Sequence, residues 1–197
     1  MTDPRIRFAT DDDAWRLAGM HARRIHEGFL SSLGPAFLGR LYRRIVRSSR
    51  AFAMVVEDES GRIVAFCAAA ENVGRLYREF MVRDGIVAGV ASAPKLVRAI
   101  PHVMETLRYP STTGELPDAE ILSVVTDPTV ASKGWGSLVL HQTLDELERR
   151  GCSSVKVVAG ASNDAALRLY EHCGFAPLQQ ISLHDDVRSE VLVWASS

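Results

Sequence analysis

Ala119-Glu120-Ile121-Leu122-Ser123-Val124-Val125-Thr126-Asp127-Pro128-Thr129-Val130-Ala131-Ser132-Lys133-Gly134-Trp135-Gly136-Ser137-Leu138 is the stretch that decides the fold. An apolar run with β-branched residues ends at Asp127-Pro128, a short polar loop carries two glycines, and a helical pattern starts behind them. The order is strand, glycine loop, helix N-terminus. The first N–H groups of a helix have no partner within it, and the summed peptide dipoles place partial positive charge there, so such an end attracts phosphate. Gly134 and Gly136 let an anion approach the backbone closely, and Lys133 adds a full positive charge at the loop's edge. Ser132 is placed to cap the helix and Ser137 to donate a further hydrogen bond.

Glycine spacing separates the kinds of phosphate loop. A Walker A loop needs Gly-Lys-Ser/Thr after four intervening residues, and here Lys133 precedes its glycine. A dinucleotide fingerprint needs Gly or Ala at 139, where Val stands, and an acidic residue at the end of the next strand, where Ala159-Gly160 stands. The residues alone then leave two readings, a phosphate site or a plain tight turn.

The remaining pattern, Ala131-Ser132-Lys133-Gly134-Trp135-Gly136, resembles the Arg/Gln-x-x-Gly-x-Gly/Ala signature of the GNAT superfamily of acyl-CoA-dependent N-acetyltransferases, with a departure at Ala131. A second segment strengthens the match. Asn163-Asp164-Ala165-Ala166-Leu167-Arg168-Leu169-Tyr170-Glu171-His172-Cys173-Gly174-Phe175 is similar to that family's Asn-x-x-Ala-x-x-Leu-Tyr-x-x-x-Gly-Phe. The specific signal lies in residues 119 to 175.

The resemblance implies an α/β fold: a mixed, mostly antiparallel central sheet flanked by helices. It implies acetyl-CoA as co-substrate, with no metal. Val124 and Val125 would offer backbone groups to the pantetheine arm, with Thr126 beside them. Ala131, Ser132, Lys133, Gly134, Trp135, Gly136 and Ser137 would bind the pyrophosphate. Asn163 and Ala166 would lie on the cofactor side of the fifth strand, and Tyr170 near the thioester sulfur. The residues by themselves also read more plainly: Asn163 as a helix cap and Tyr170 as an amphipathic core residue.

The chemistry suits these residue types. A thiolate leaving group, with a thiol pKa near ~8.5, can take a proton from a phenol of pKa near ~10, which makes Tyr170 the candidate general acid. The oxyanion would be held by a backbone N–H near Val125, as in the family. A primary amine of pKa near ~10.4 must first lose its proton, at a cost of roughly 4–5 kcal/mol at pH 7. Glu120 is the first candidate base, because Ala119-Glu120-Ile121 resembles family members that use a glutamate there; its plain reading is a solvated strand start. Glu71 is the second choice, and Glu115 or Asp118 could act through water.

The rest of the chain fits one domain. Its 197 residues, 47% hydrophobic, can bury a sizeable core, and a formal charge of -1 gives no global attraction to nucleic acid or membrane. The N-terminus has no signal-peptide character and no apolar run reaches the roughly 20 residues of a membrane span, so a cytoplasmic protein is the expectation. Cys67, Cys152 and Cys173 lie far apart, and neither they nor the histidines show metal-ligand spacing. Cys152 and Cys173 have no recognisable His-Asp partner, so direct transfer is expected in place of an acyl-enzyme.

Arg5 to Phe8 reads as the first strand, with Thr10 or Asp11 capping a helix from about Ala14 to His26. A second helix begins at Pro35. Its face of Arg40, Arg43, Arg44 and Arg47 is either solvated or an attraction for an anionic acceptor. Ala51 to Glu57 and Ile63 to Ala70 read as an antiparallel pair. Residues 72–112 read as a helical insertion between strands 3 and 4, with one stripe at Val73, Leu76, Phe80, Val87 and Val90 and another at Leu96 to Leu107. Such an insertion can cover the site, form a homodimer contact or lie on a membrane, the last being weakest because its charges alternate in sign. Ser154 to Ala159 is a fifth strand, Asn163 caps a helix that Gly174 stops, Phe175 begins a return, and Val187 to Trp194 is the last strand.

Overall fold

A computed structural model describes residues 4–25, 34–84, 116–130, 133–183 and 187–196. Its strands are β1 (Arg5–Phe8), β2 (Ala51–Glu57), β3 (Ile63–Ala70), β4 (Glu120–Thr126), β5 (Ser154–Gly160), β6 (Ala176–Leu183) and β7 (Val187–Ala195). Its helices are α1 (Ala14–Arg24), α2 (Pro35–Arg47), α3 (Val73–Arg83), α4 (Trp135–Arg149) and α5 (Asp164–His172). The strands make one sheet in the order β1-β2-β3-β4-β5-β7-β6. Every neighbouring pair is antiparallel except β4 with β5.

The sheet is covered on both faces, which is why β2 and β3 are buried along their whole length. Successive side chains of a strand point to opposite faces. In β2, Ala51, Ala53 and Val55 join the core with Leu17, Leu38, Leu41 and Phe80 of α1, α2 and α3. Phe52, Met54 and Val56 join the other core, with Val139, Leu140, Leu144 and Leu147 of α4 and Tyr170 of α5.

Helix ends account for the differences from the sequence reading. Thr10 does not cap α1 directly. Asp13 Oδ2 accepts from the Thr10 amide at 2.8 Å and its hydroxyl at 3.0 Å, closing a 3-10 turn over Asp11–Asp13. Asp13 then stands at the N-cap of α1. The helix stops at Arg24, short of His26, because Ile25 is extended. Ser132 is not the N-cap of α4; Gly134 is, at φ 77, a left-handed conformation that glycine adopts without strain. In the insertion, α3 carries the expected Val73, Leu76 and Phe80 inward, and Asn72 Oδ1 caps it by accepting from the Arg75 amide at 2.8 Å. Val87, Val90, the second stripe at Leu96 to Leu107 and Glu115 lie outside the described residues.

A polar chain crosses the first core. His21 Nδ1 and the Tyr42 hydroxyl are 2.8 Å apart, and the same hydroxyl lies 2.8 Å from Ser123 Oγ of β4. All three residues are buried. Burial holds the His21 imidazole at about 4, below its usual 6.5. A group whose folded value is lowered contributes stability above its unfolded pKa and loses it as pH falls through the folded one, so the loss runs from about pH 6.5 to 4. Its size is on the order of 3 kcal/mol. Urea unfolding across that range should show the wild-type midpoint falling, and His21→Gln should flatten the slope.

Candidate active site

The parallel ladder of β4 and β5 holds only Glu120 with Lys156 and Ile121 with Val157. Beyond Ile121, β4 stays with β3 as far as Thr126 and β5 stays with β7 as far as Gly160, but not with each other. The two central strands therefore diverge, and the main chain of Leu122 to Thr126 borders the opening. Within that stretch Leu122 is an extra residue: Ser123 pairs with Ala68 and Ile121 with Ala69. This bulge turns both Leu122 and Ser123 towards the α1–α2 face, since Leu122 packs in that core and Ser123 meets Tyr42 of α2. Val124 and Val125 resume the alternation on opposite faces.

The glycine loop stands at the end of β4. Asp127 shapes the turn: its Oδ1 accepts from the Thr129 amide at 2.9 Å and hydroxyl at 2.7 Å, while its own amide reaches Val64 O at 2.7 Å. The first helical bond of α4 runs from Leu138 N–H to Gly134 O at 2.9 Å. The amides of Trp135, Gly136 and Ser137 thus precede the helical ladder, and the dipole supports an anion there. Gly136 is needed for close packing: a Cβ would sit 3.3 Å from Thr126 Oγ1 and 3.7 Å from Leu169 Cδ2. Lys133 is exposed beside this loop, and the Trp135 side chain packs half-buried against the α4 core. Ala131 and Ser132 lie outside the described residues.

Asn163 does cap α5: its Oδ1 accepts from the Ala166 amide at 3.1 Å. Ala166 and Tyr170 both join the α4-side core. The Tyr170 ring packs edge-on against Phe175 with centroids 5.6 Å apart, and no described residue hydrogen-bonds its hydroxyl. Burial, with the neighbouring Cys67 and Cys173 thiols adding to it, raises the Tyr170 pKa above the phenol range. Cys67 is the β3 partner of Val124, so Tyr170 and Val124 share one face at the opening.

Glu120 occupies the closed end of that opening. Its neighbours Ala119 and Ile121 enter the α4-side core, which leaves Glu120 on the opposite face, with Tyr77 of α3 within electrostatic reach. Lys156 Nζ lies 3.5 Å from Glu120 Oε2 and also donates to Pro117 O. Burial raises the Glu120 pKa, and Lys156 only partly opposes it. The candidate acid and base thus flank the opening from opposite faces of the sheet. The other carboxylates are engaged. Glu71 bridges Arg50 at 3.3 Å and Arg150 at 3.1 Å, and Asp118 accepts from Asn72 at 2.9 Å.

Two features were not visible in the sequence. Cys173 Sγ does have a histidine neighbour, His141 Nδ1 at 3.9 Å, but that nitrogen also lies 2.9 Å from Ser137 O and burial raises the thiol pKa. This is no activated nucleophile. The arginine face of α2 is largely paired, Arg43 and Arg47 with Asp11 at 3.0 and 2.6 Å and Arg44 with Asp84 at 2.6 Å. Among the described residues no cluster of His, Cys, Asp and Glu could hold a metal ion, and no helix is long and apolar enough to cross a membrane.

A splayed parallel pair with a glycine-bordered helix N-terminus at its end is an arrangement that can receive a phosphate-bearing ligand at the edge of the opening. The sequence model of the acetyltransferase (GNAT) family matches residues 23–175, and the chain belongs to that family. It is 38% identical over 60 residues to the Escherichia coli K12 [ribosomal protein bS18]-alanine N-acetyltransferase, a match covering 30% of this chain and 40% of that protein. It is 43% identical over 58 residues to the mycothiol acetyltransferase of Brachybacterium faecium, covering 29% of this chain and 18% of that one. The matched part thus spans well under half of either relative. Among solved structures, Arabidopsis thaliana NAA60 in complex with acetyl-CoA superposes with a TM-score of 0.64 at 14% identity, covering 98% of each chain.

Proposed function

We propose that this protein transfers the acetyl group of acetyl-CoA to a primary amine of a small molecule by direct attack within a ternary complex. The observation that carries the reading is the divergence of β4 from β5 with the α4 N-terminus at its open end. The amides of Trp135, Gly136 and Ser137 hold the diphosphate, helped by Lys133. The main chain of Val124 and Val125 lies along the pantetheine arm and thioester. The amine enters from the Glu120 face and gives its proton to that carboxylate. Its nitrogen bonds to the thioester carbon, the carbon–sulfur bond breaks, Tyr170 supplies the proton that the leaving sulfur takes up, and the extra proton left on the acylated nitrogen restores the Tyr170 phenol.

The acceptor on this reading carries no strong negative charge, since Arg43 and Arg47 already share Asp11 and Arg44 already pairs with Asp84. A peptide N-terminus is the second reading, favoured by the likeness to the bS18-alanine enzyme. Three unpaired cysteines among the described residues fit a cytoplasmic setting.

Acetyl-CoA at a hundred times its Kd should stabilise the fold by about 2.7 kcal/mol, raising Tm by roughly 5–10 °C, while NAD should leave it unmoved. Thiol release with a panel of alkylamines, polyamines and alanyl peptides then names the acceptor class. Stabilisation without thiol release for any amine would favour a non-catalytic acyl-CoA-binding module.

A further inference from the structure

The bulged segment of β4 is tied to the helices at one atom. Ser123 follows the extra residue Leu122 and immediately precedes Val124 and Val125. Its hydroxyl, 5% exposed as a residue, is 2.8 Å from the Tyr42 hydroxyl, which is in turn 2.8 Å from His21 Nδ1. The chain ends at His21 Nε2, a buried atom without a hydrogen-bond partner among the described residues. His21, Tyr42 and Ser123 line a cavity of about 10 Å³, walled otherwise by Leu38, Leu122, Tyr77 and other apolar side chains. That is room for one water, and a buried imidazole N–H or lone pair without a partner is what such a water satisfies.

A strand bulge re-aims the residues that follow it, but it also interrupts the ladder that would hold them. On its other edge this part of β4 has no ladder with β5 either. The ladder with β3 resumes at Val124 and Val125, opposite Cys67 and Phe66, so these peptide groups are held on one edge only, and the Ser123 side-chain bond to the helices adds a second hold at the bulge itself. Tyr42 is a rigid anchor for such a bond, because it is 2% exposed and its ring meets His21 and Phe66 edge-on with centroids 5.8 and 5.5 Å away. It cannot swing without disturbing the core.

The geometry points to His21, Tyr42 and Ser123, completed by one water on His21 Nε2, as a positioning chain that holds the bulge of β4 and thereby aims the Val124–Val125 main chain at the thioester carbonyl. This rests on the transfer reading above. None of the three side chains is a catalytic residue; they act through the backbone of β4.

The test compares Tyr42→Phe, Ser123→Ala and the double variant by steady-state kinetics and by the infrared carbonyl stretch of bound acetyl-CoA labelled with carbon-13 at the carbonyl. Misaimed peptide groups should lower kcat about tenfold to a hundredfold, leave the KM for acetyl-CoA within about twofold, and return the carbonyl band towards its free-solution position. The double variant should lose no more than the worse single one, because one chain is cut in either place. A purely structural role would lower Tm and leave kcat and the band unchanged, and that result overturns the inference. Should Tyr42→Phe fail to fold, Ser123→Ala, which removes one atom, decides alone. The infrared arm needs binding only: a wild type that binds acetyl-CoA but acetylates no amine defeats the transfer reading while the band shift still decides the positioning chain. A wild type that does not bind acetyl-CoA defeats both.

Discussion

Tyr170→Phe should lower kcat for amine acetylation by roughly 10²-fold or more while the stabilisation by acetyl-CoA persists. The ring survives the substitution, and with it the edge-on contact to Phe175 and the place of α5 against the core. No hydrogen bond among the described residues is broken, since none of them bonds the hydroxyl. What disappears is a proton donor at the opening. Its raised pKa matters, because a phenol that burial keeps protonated remains a donor across the working range of pH, whereas an ordinary one begins to ionise near ~10. The defect should shrink with an acyl donor whose leaving thiol is more acidic, since such a sulfur needs less help. If Tyr170→Phe keeps wild-type kcat, or loses acetyl-CoA binding instead, Tyr170 is a packing residue as its position in the core would also allow.

Much of this arrangement was legible in the chain, and the reason differs from place to place. The Gly134–Gly136 loop could be read because only a left-handed turn followed by a close helix contact calls for glycine at both places, and the structure shows φ 77 at the first and a crowded Cβ position at the second. Asn163 was legible as a cap because a side-chain acceptor three residues ahead of a helical amide is a local matter. The divergence of β4 from β5 was not legible, as it depends on how two strands well apart in the chain settle on different partners. Ser123 carries a signal of its own: a lone hydroxyl inside an apolar run asks for a buried partner, but Tyr42 is 81 residues away and nothing local points to it. The arginine face of α2, which the sequence left as either solvated or an attraction for an anion, meets the same limit. Charge spacing along one helix says nothing of Asp11 and Asp84, which arrive from elsewhere in the chain.

Glu120→Gln should cost activity without costing stability. As the base, Glu120 meets the roughly 4–5 kcal/mol needed to deprotonate an amine at pH 7, so its loss should lower kcat by about 10²-fold or more, with the deficit closing as pH rises towards the amine's own pKa. Stability moves differently. Burial raises the Glu120 pKa despite Lys156 at 3.5 Å, so the fold favours the neutral carboxyl. A carboxyl whose folded pKa is raised contributes stability below its unfolded value near 4.5 and loses it as pH climbs through the folded one. At neutral pH the ionised Glu120 is therefore a liability that an isosteric, uncharged Gln does not carry. The variant should match or exceed the wild type in Tm at pH 7, and its relative standing should improve as pH is raised from 4.5. Lys156→Met supplies the complement: without the ammonium, Glu120 should take up its proton at a still higher pH and shift the acid limb of the pH–rate profile upward. A Glu120→Gln protein that is fully active at pH 7, or a Lys156→Met profile that stays in place, would remove Glu120 from the reaction and leave it as half of an ion pair at the strand's start.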